Sequence, residues 1–237
     1  MRFARYDRIA RHYPQMWPLI VPGYLPILNG MLDVLRAGPN RPQEILDLGC
    51  GPGSATVAVA PACDPHGSIT LVDGSAAMVS AAQDVLGDSV QHAVVGDFAE
   101  PAVAAQVYVA QAYDLALSSF ALHHLEDPLK RQVIDGLGLS VRKGGLLLLA
   151  DEIASDRPAG WDLVPTIRAR IIQEHLQAGR ISHEFWELET SLSADDHLPF
   201  MPARVDEITS FMARAGFAVS CPIIILGSAL FVGVKTA

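Results

Sequence analysis

Short apolar runs alternate with amphipathic stretches over residues 44–151 of this 237-residue chain. The apolar runs, each followed or closed by Gly, Asp or Ser, predict strands at residues 44–48, 68–73, 90–95, 113–118 and 145–151. The intervening stretches predict helices at residues 54–61, 75–86, 101–111 and 128–141, the last with a basic turn at Lys143 before two glycines. Such alternation is typical of a parallel sheet covered by helices on both faces. The chain is therefore predicted to have an α/β fold.

The flanking segments complete this architecture. Residues 1–40 are interpreted as an N-terminal helical cap, 41–151 as the ligand-binding core, and 152–203 as an inserted lid with a helix at 162–178. Residues 204–237 predict a helix followed by an antiparallel hairpin with strands at 217–226 and 229–235. We therefore expect a single domain around a mostly parallel, seven-stranded sheet.

Composition limits the partners and the compartment. The 17 Lys and Arg residues against 26 Asp and Glu residues give a net charge of −9, which argues against nucleic acid as a partner. Residues 16–35 are apolar, but Pro18, Pro22 and Pro26 interrupt them, so a membrane span is not expected. Three cysteines without CxxC spacing argue against a disulfide framework or a zinc site. A cytoplasmic location is therefore predicted.

A D-x-G-x-G-x-G loop at residues 47–53 joins the first predicted strand to the first predicted helix. Asp73 follows Gly53 by 73 minus 53, or 20, residues, a spacing at which a carboxylate binds ribose hydroxyls in nucleotide-binding βαβ units. The spacing of the glycines differs from that of the dinucleotide fingerprint, and Pro52 removes a backbone donor that a phosphate could use. A P-loop is excluded because no Lys-Ser or Lys-Thr follows the glycines. The loop therefore predicts an adenosine-containing cofactor, with a simple tight turn as the alternative.

Four motifs resemble those of the class I S-adenosylmethionine-dependent methyltransferases in order and spacing: ILDLGCGPGSAT, LVDGSAAM, VVGDFAE and YDLALSSFALHHL. The resemblance covers about residues 44–151 and implies a Rossmann-like fold with S-adenosylmethionine as the cofactor. It also implies cofactor-binding residues in the glycine loop, at the ribose and at the adenine: Asp47, Gly49, Cys50, Gly51, Gly53, Asp73, Gly74, Met78, Asp97 and Phe98. As alternatives, Asp73 or Asp97 could cap a helix, and Met78 could be core.

The ends of the chain are similar to the carboxy-S-adenosylmethionine synthase group, whose members use prephenate to carboxylate the methyl group of the cofactor. The similarity lies in FARYDRIARHYPQMWPLIVPGY, LVDGSAAM, ARAGF and SALFVGVK, and it implies cofactor contacts for Tyr24 and Ser119. These synthases hold the added carboxylate with a lid arginine, but ISHEFWELETSLSADDHLPF contains no Arg or Lys, and only Arg180 precedes it closely. The chain is therefore predicted to be an enzyme that transfers a methyl group to a small-molecule acceptor.

Methyl transfer requires alignment of the acceptor, and a base when the acceptor must lose a proton. His123 and His124 follow the fourth predicted strand and are candidate bases, or else they stabilise the loop. The lid residues His183, Trp186 and Glu187 are predicted to contact the substrate. A metal site from His183, Glu187 and His197 is the less favoured interpretation, because a solvated acidic helix face explains the same pattern. No metal is predicted.

Two rival functions remain open. One is a carboxy-cofactor synthase or tRNA-modification enzyme of the same fold, and the other is a non-catalytic protein that binds S-adenosylmethionine. The apolar residues 221–234 predict either a buried strand pair or the surface of a homodimer.

Overall fold

The computed structural model describes residues 3–154, 163–194 and 199–236. The helices are α1 (Ala4–Ile9), α2 (Tyr13–Ile20), α3 (Tyr24–Ala37), α4 (Ser54–Val59), α5 (Ala76–Leu86), α6 (Pro101–Val107), α7 (Asp127–Ser140), α8 (Val164–Gln177), α9 (His183–Ala194) and α10 (Val205–Arg214). The strands are β1 (Glu44–Leu48), β2 (Ser68–Asp73), β3 (Val90–Val95), β4 (Tyr113–Ser119), β5 (Val141–Glu152), β6 (Phe217–Ile225) and β7 (Ser228–Lys235).

The seven strands form one sheet in the order β3-β2-β1-β4-β5-β7-β6. Strands β1 to β5 run parallel, whereas β7 is antiparallel to both β5 and β6. The chain crosses from one side of β1 to the other between β3 and β4. The predicted α/β fold, with a mostly parallel sheet and a C-terminal antiparallel hairpin, is confirmed.

Helices cover both faces of the sheet and bury two apolar clusters. Along β1, Ile45 belongs to one cluster, whereas Leu46 and Leu48 belong to the other. Successive side chains of a strand point to opposite faces, so an apolar run such as this one suits a strand buried on both sides. The first cluster includes residues of α2–α5, α8 and α9, and the second includes residues of α6, α7 and α10.

The boundary between α7 and β5 differs from the sequence prediction. Helix α7 ends at Ser140, and β5 begins directly at Val141, so Lys143 and its glycines do not end the helix. Gly144 instead has a φ of 81°, and the pairing of β4 with β5 shifts register between Tyr113 and Leu115. These glycines therefore lie at an irregularity inside the strand, because a left-handed residue interrupts regular pairing.

The apolar residues 16–35 form α2 and α3, which bend by 104° at the break between them. Among the described residues, no single helix has the length and apolar composition to cross a membrane, and this bent pair meets those criteria only jointly.

Helices pack against both faces of the C-terminal hairpin, although Ile224 on the edge strand β6 stays exposed. A Cβ on Gly30 of α3 would lie 2.3 Å from Ile223 Cδ1, and one on Gly233 of β7 would lie 2.8 Å from the terminal methyl group of Met212 on α10. Such close packing explains most of the apolar character of residues 221–234. The homodimer stays a prediction.

Candidate active site

A cleft opens at the carboxyl ends of β1, β2 and β4, where the order of the strands reverses. Ligands of open α/β sheets bind at this switch point, because the connections on its two sides leave in opposite directions. The empty volume, including the open mouth, is about 760 Å³.

The glycine loop after β1 forms one side of the cleft with its backbone. Gly49 and Gly51 have φ angles of 71° and 51°, a region that favours glycine. A Cβ on Gly49 would lie 2.4 Å from the Cβ of Ala121. The amides of Gly49 and Cys50 donate to the carbonyl oxygen of Val72 at 2.8 and 3.0 Å, which fixes the loop against β2.

Asp73 closes the loop from the end of β2. Its Oδ2 accepts a hydrogen bond from the Gly51 amide at 2.9 Å, and its Oδ1 accepts one from the Ser75 amide at 2.8 Å. Burial raises the pKa of Asp73, although these backbone hydrogen bonds act in the opposite direction. The carboxylate is thus a fixed acceptor at the cleft. We call residues 49–51, 73 and 74 the glycine-loop wall.

Most of the predicted cofactor residues come together here. Asp97 follows β3, and its Oδ1 accepts a hydrogen bond from the Ala99 amide at 3.0 Å. The predicted residues that line the cleft are Tyr24, Gly49, Cys50, Gly51, Asp73, Gly74, Met78, Asp97, Phe98 and Ser119.

Asp47 and Gly53 lie behind this wall and do not line the cleft. Asp47 is fully buried, and its Oδ2 accepts a hydrogen bond from Thr56 Oγ1 at 2.6 Å. Burial raises the pKa of Asp47 to about 7, even though the Thr56 hydrogen bond lowers it. Gly53, with a φ of 82°, leads into α4. The structure gives both residues a supporting position rather than the direct contact that the sequence suggests.

Four aromatic side chains face the glycine loop: Phe3, Tyr6, Tyr13 and Tyr24, which we call the N-terminal wall. Of these, the sequence analysis identified only Tyr24. A Cβ on Gly74 would lie 2.5 Å from the ring of Phe3, so this ring packs directly on the loop after β2. The contacts join segments far apart in the chain, and no local pattern predicts them.

Tyr24 is buried where the two walls meet. Burial raises its pKa to about 12, while a hydrogen bond with the Ser54 side chain lowers it. Its ring lies 5.4 Å, between centroids, from that of Phe120, which also lines the cleft. This end of the cleft is therefore aromatic, with the Tyr24 phenol as a neutral polar group.

His123 does not line the cleft. It is buried, and its Nδ1 lies 2.5 Å from Asp151 Oδ1. Burial lowers the pKa of His123, but the charge of Asp151 and the hydrogen bond with it outweigh this effect and raise it. Its position indicates a structural role, and the geometry does not support its predicted role as a base.

His124 lines the cleft. Its Nε2 lies 2.7 Å from the hydroxyl oxygen of Tyr6, and its Nδ1 lies 3.0 Å from the carbonyl oxygen of Pro199. A histidine here can accept a proton near neutral pH. Of the two predicted bases, only His124 is therefore placed for chemistry in the cleft.

The predicted substrate residues His183, Trp186 and Glu187 lie on α9 and do not line the cleft. His183 and Glu187 are exposed, and Trp186 packs against the first apolar cluster. Sequence reasoning placed them at the substrate because they are polar and aromatic, but α9 turns these groups elsewhere. Helix α9 reaches the N-terminal segment instead, through an ion pair between Arg5 and the buried Glu189.

Charge in the cleft comes from carboxylates. Within the described ranges, the lining residues include Asp73 and Asp97 but neither Lys nor Arg. Within the described part of the chain, no group of three or more His, Cys, Asp or Glu side chains is placed to hold a metal ion. His197, one of the residues considered for a metal site, lies outside the described residues.

Comparisons with known proteins agree with this geometry. Residues 46–147 match the family model for a methyltransferase domain. A carboxy-S-adenosyl-L-methionine synthase from Chromohalobacter salexigens is 30% identical over 154 residues, which cover 64% of this chain and 55% of that protein. An uncharacterised methyltransferase from Bacillus velezensis is 30% identical over 157 residues, which cover 66% of each chain. The chain thus aligns with about half to two thirds of the length of these relatives.

Solved structures share the fold at low sequence identity. An O-methyltransferase family protein from Burkholderia thailandensis superposes with a TM-score of 0.63 at 19% identity, over 100% of this chain and 60% of that one. Human N-acetylserotonin methyltransferase, in complex with S-adenosylmethionine, superposes with a TM-score of 0.60 at 14% identity, over 98% and 56%. Residues 46–147 thus match a methyltransferase-domain model, and the chain has the class I methyltransferase fold of these solved structures.

Proposed function

We propose that this chain binds S-adenosylmethionine in the cleft and transfers its methyl group to a small-molecule acceptor. One observation carries the proposal: a single cleft joins the Asp73 and Asp97 carboxylates to the Tyr6, Tyr24 and His124 side chains. A cofactor-binding end and an acceptor end are thus continuous.

The carboxylate end fits an adenosine. Asp73 Oδ1 and Oδ2 are already oriented by backbone amides, so ribose hydroxyls can donate to a carboxylate that needs little rearrangement. Met78 and Phe98 offer apolar surface to the adenine, and Asp97 offers an acceptor for its amino group.

The other end fits the methionine part of the cofactor and the acceptor. The backbone of Gly49 and Gly51 leaves room for close approach, and the Tyr24 and Ser54 hydroxyls lie beside it. Bound S-adenosylmethionine supplies a methyl group activated by its sulfonium. The chain has to align the acceptor with that methyl group and exclude water, which aromatic walls can do.

The charge of the cleft favours methyl transfer over the carboxy-cofactor alternative. A carboxylated cofactor carries an additional anion, which a buried site must pair with a cation. Among the residues that the structure describes, those lining the cleft include no Lys or Arg, and the nearby Arg5 forms an ion pair with Glu189. Because relatives of this chain are named as carboxy-S-adenosyl-L-methionine synthases, the test below includes this alternative as an outcome.

The proposal is tested in two steps with the purified chain. Isothermal titration with S-adenosylhomocysteine measures cofactor binding, with Asp73→Ala as the variant expected to lose it. Incubation with S-adenosylmethionine and a panel of phenols, thiols, amines and carboxylic acids, followed by mass spectrometry, detects methylated products. We expect binding and at least one methylated neutral acceptor.

Other outcomes would favour one of the two rival functions. A carboxylated cofactor formed with prephenate would favour the synthase. Binding without any methylated product would support a non-catalytic cofactor-binding protein. If neither S-adenosylmethionine nor S-adenosylhomocysteine binds, the proposal as a whole is contradicted.

A further inference from the structure

Tyr6 and His124 form a hydrogen-bonded pair inside the cleft, although 118 positions separate them in the chain. Tyr6 lies on α1, and His124 lies in the short 3-10 turn after β4. The hydroxyl oxygen and Nε2 are 2.7 Å apart, and the two rings meet edge to face with their centroids 5.9 Å apart. The pair joins the N-terminal wall to the ligand-binding edge of the sheet.

The carbonyl of Pro199 sets the direction of this hydrogen bond. A carbonyl oxygen only accepts, so the His124 Nδ1 that lies 3.0 Å from it carries the hydrogen. Neutral imidazole has one N–H, which leaves the lone pair on Nε2. The Tyr6 hydroxyl therefore donates to Nε2.

Because the Tyr6 hydroxyl donates to His124, Tyr6 rather than His124 is the member of the pair that can bind a methyl acceptor. Both nitrogens of His124 are engaged, one by Pro199 and the other by Tyr6. The phenolic oxygen of Tyr6, with its proton directed to His124, presents acceptor lone pairs. The guanidinium of Arg5, which is ion-paired with Glu189, lies 5.5 Å from the centroid of the Tyr6 ring, a contact that helps to hold the ring in place.

We propose that Tyr6 is a catalytic residue that takes the proton of a hydroxyl acceptor, and that the acceptor is a neutral phenol or alcohol. This inference rests on the proposed function. As the acceptor oxygen forms its bond to the methyl carbon and the carbon–sulfur bond breaks, the acceptor O–H proton passes to the Tyr6 oxygen. The Tyr6 proton passes at the same time to His124 Nε2. The products are the methyl ether, S-adenosylhomocysteine and imidazolium, which returns its proton to water.

The test compares acceptors that differ only in oxygen or sulfur, such as 4-methylphenol and 4-methylthiophenol, within a panel of phenol and thiophenol pairs. Aromatic thiols are largely ionised near neutral pH and need no base, whereas an un-ionised hydroxyl does. We expect Tyr6→Phe to lower kcat for the phenols by about 100-fold or more, with KM within about threefold, because general-base catalysis contributes roughly that much. Methylation of the thiophenols should change by less than about threefold. His124→Gln should show the same oxygen-selective loss.

Tyr113→Phe is the matched control, because the Tyr113 hydroxyl donates to the Val107 carbonyl oxygen at the start of β4, away from the cleft. It should leave both rates unchanged. Titration with S-adenosylhomocysteine verifies that each variant still binds the cofactor.

The contradicting results are distinct. Equal loss of phenol and thiophenol methylation in Tyr6→Phe would assign Tyr6 a structural role and overturn the inference. Methylation of thiols or amines but of no hydroxyl by the unmodified chain would also overturn it while leaving the proposed function intact. Cofactor binding with no transfer to any acceptor would reject the transfer function and this inference with it.

Discussion

The glycine-loop wall and the N-terminal wall enclose the same cleft, but they are held in place differently. Backbone amides and the Asp73 carboxylate fix the first wall within a few residues of the strands that carry it. The second wall depends on contacts between distant segments, chiefly those of Tyr6 with His124 and of Asp7 with Ser75. The proposed cofactor side is therefore built into the sheet, whereas the proposed acceptor side is assembled by docking of the N-terminal segment.

Removal of the Asp73 carboxylate from the glycine-loop wall should have the largest effect of the substitutions predicted below, and the effect should be on cofactor binding. We expect Asp73→Ala to weaken binding of S-adenosylhomocysteine by at least about 100-fold, or about 3 kcal/mol, because two charge-assisted hydrogen bonds to ribose are lost. Calorimetric titration measures this change. The exposed Asp88 provides the control, since Asp88→Ala should leave affinity unchanged. Retention of affinity by Asp73→Ala would contradict the assigned ribose site.

Asp47 lies behind the glycine-loop wall, and its contribution to the free energy of unfolding should depend on pH. Burial raises the pKa of Asp47 from an ordinary value near 3.8 to about 7. The folded state therefore has its full advantage from this group below about pH 4 and loses it as pH rises to about 7. From pH 5 to pH 8 the stability difference between Asp47→Asn and the unmodified chain should shift by about 2–3 kcal/mol in favour of the variant.

Urea denaturation of both proteins at pH 5 and pH 8 measures this difference. Titration of groups that are distant from Asp47 affects both chains equally and cancels in the comparison. A difference that does not vary with pH would show that Asp47 ionises normally in the folded chain.

The hydrogen bond between His123 and Asp151 should make a smaller contribution to the free energy of unfolding. Here the substitution should destabilise the folded chain, whereas a rise in pH should favour Asp47→Asn over the unmodified chain. Although burial lowers the pKa of His123, Asp151 raises it overall, so stability from this pair is present below about pH 6.5 and is lost as pH rises through the folded pKa. Asp151→Asn should cost about 2 kcal/mol at pH 6 and less at pH 9. Thermal denaturation at the two pH values measures this. Asp206→Asn, in an exposed ion pair with Arg204, should have no measurable effect.

The smallest effect should come from the contact between the walls. Asp7 Oδ1 accepts hydrogen bonds from the Ser75 hydroxyl at 2.7 Å and from the Ala77 amide at 3.3 Å. We expect Asp7→Ala to weaken cofactor affinity by about threefold, or less than about 1 kcal/mol, because Asp7 itself is exposed. Hydrogen exchange of α1 should become faster. The exposed Asp33 supplies the control substitution, and unchanged exchange of α1 would show that Asp7 does not hold the wall.

The two walls also differ in how well the sequence predicts them. A helix is predicted to begin at Ser75, and the Ser75 Oγ caps α5 by accepting a hydrogen bond from the Met78 amide at 3.2 Å. Strand ends, glycine loops and caps are local patterns, so the glycine-loop wall is predictable. The place of Tyr6 depends on packing across 118 positions, for which the chain offers no periodic signal.

The adjacent histidines illustrate the same limit. His123 and His124 are equivalent in the sequence, yet one turns inward to Asp151 and the other to the cleft. The direction of each side chain depends on the 3-10 turn that carries both of them. Sequence alone can identify the loop but not the member of the pair that faces a ligand.

The segment between β5 and α10 returns to the point from which it leaves the sheet. The Ala154 amide donates to the Ala203 carbonyl oxygen at 3.0 Å, and Ile153 forms a bridge with Ala203. A segment whose two ends meet can lengthen, shorten or be exchanged with little strain on the strands that carry it. Evolution or an engineer could therefore change the length of the chain between these two ends without moving β5, provided that α8 and α9 still cover the first apolar cluster and Pro199 still accepts from His124.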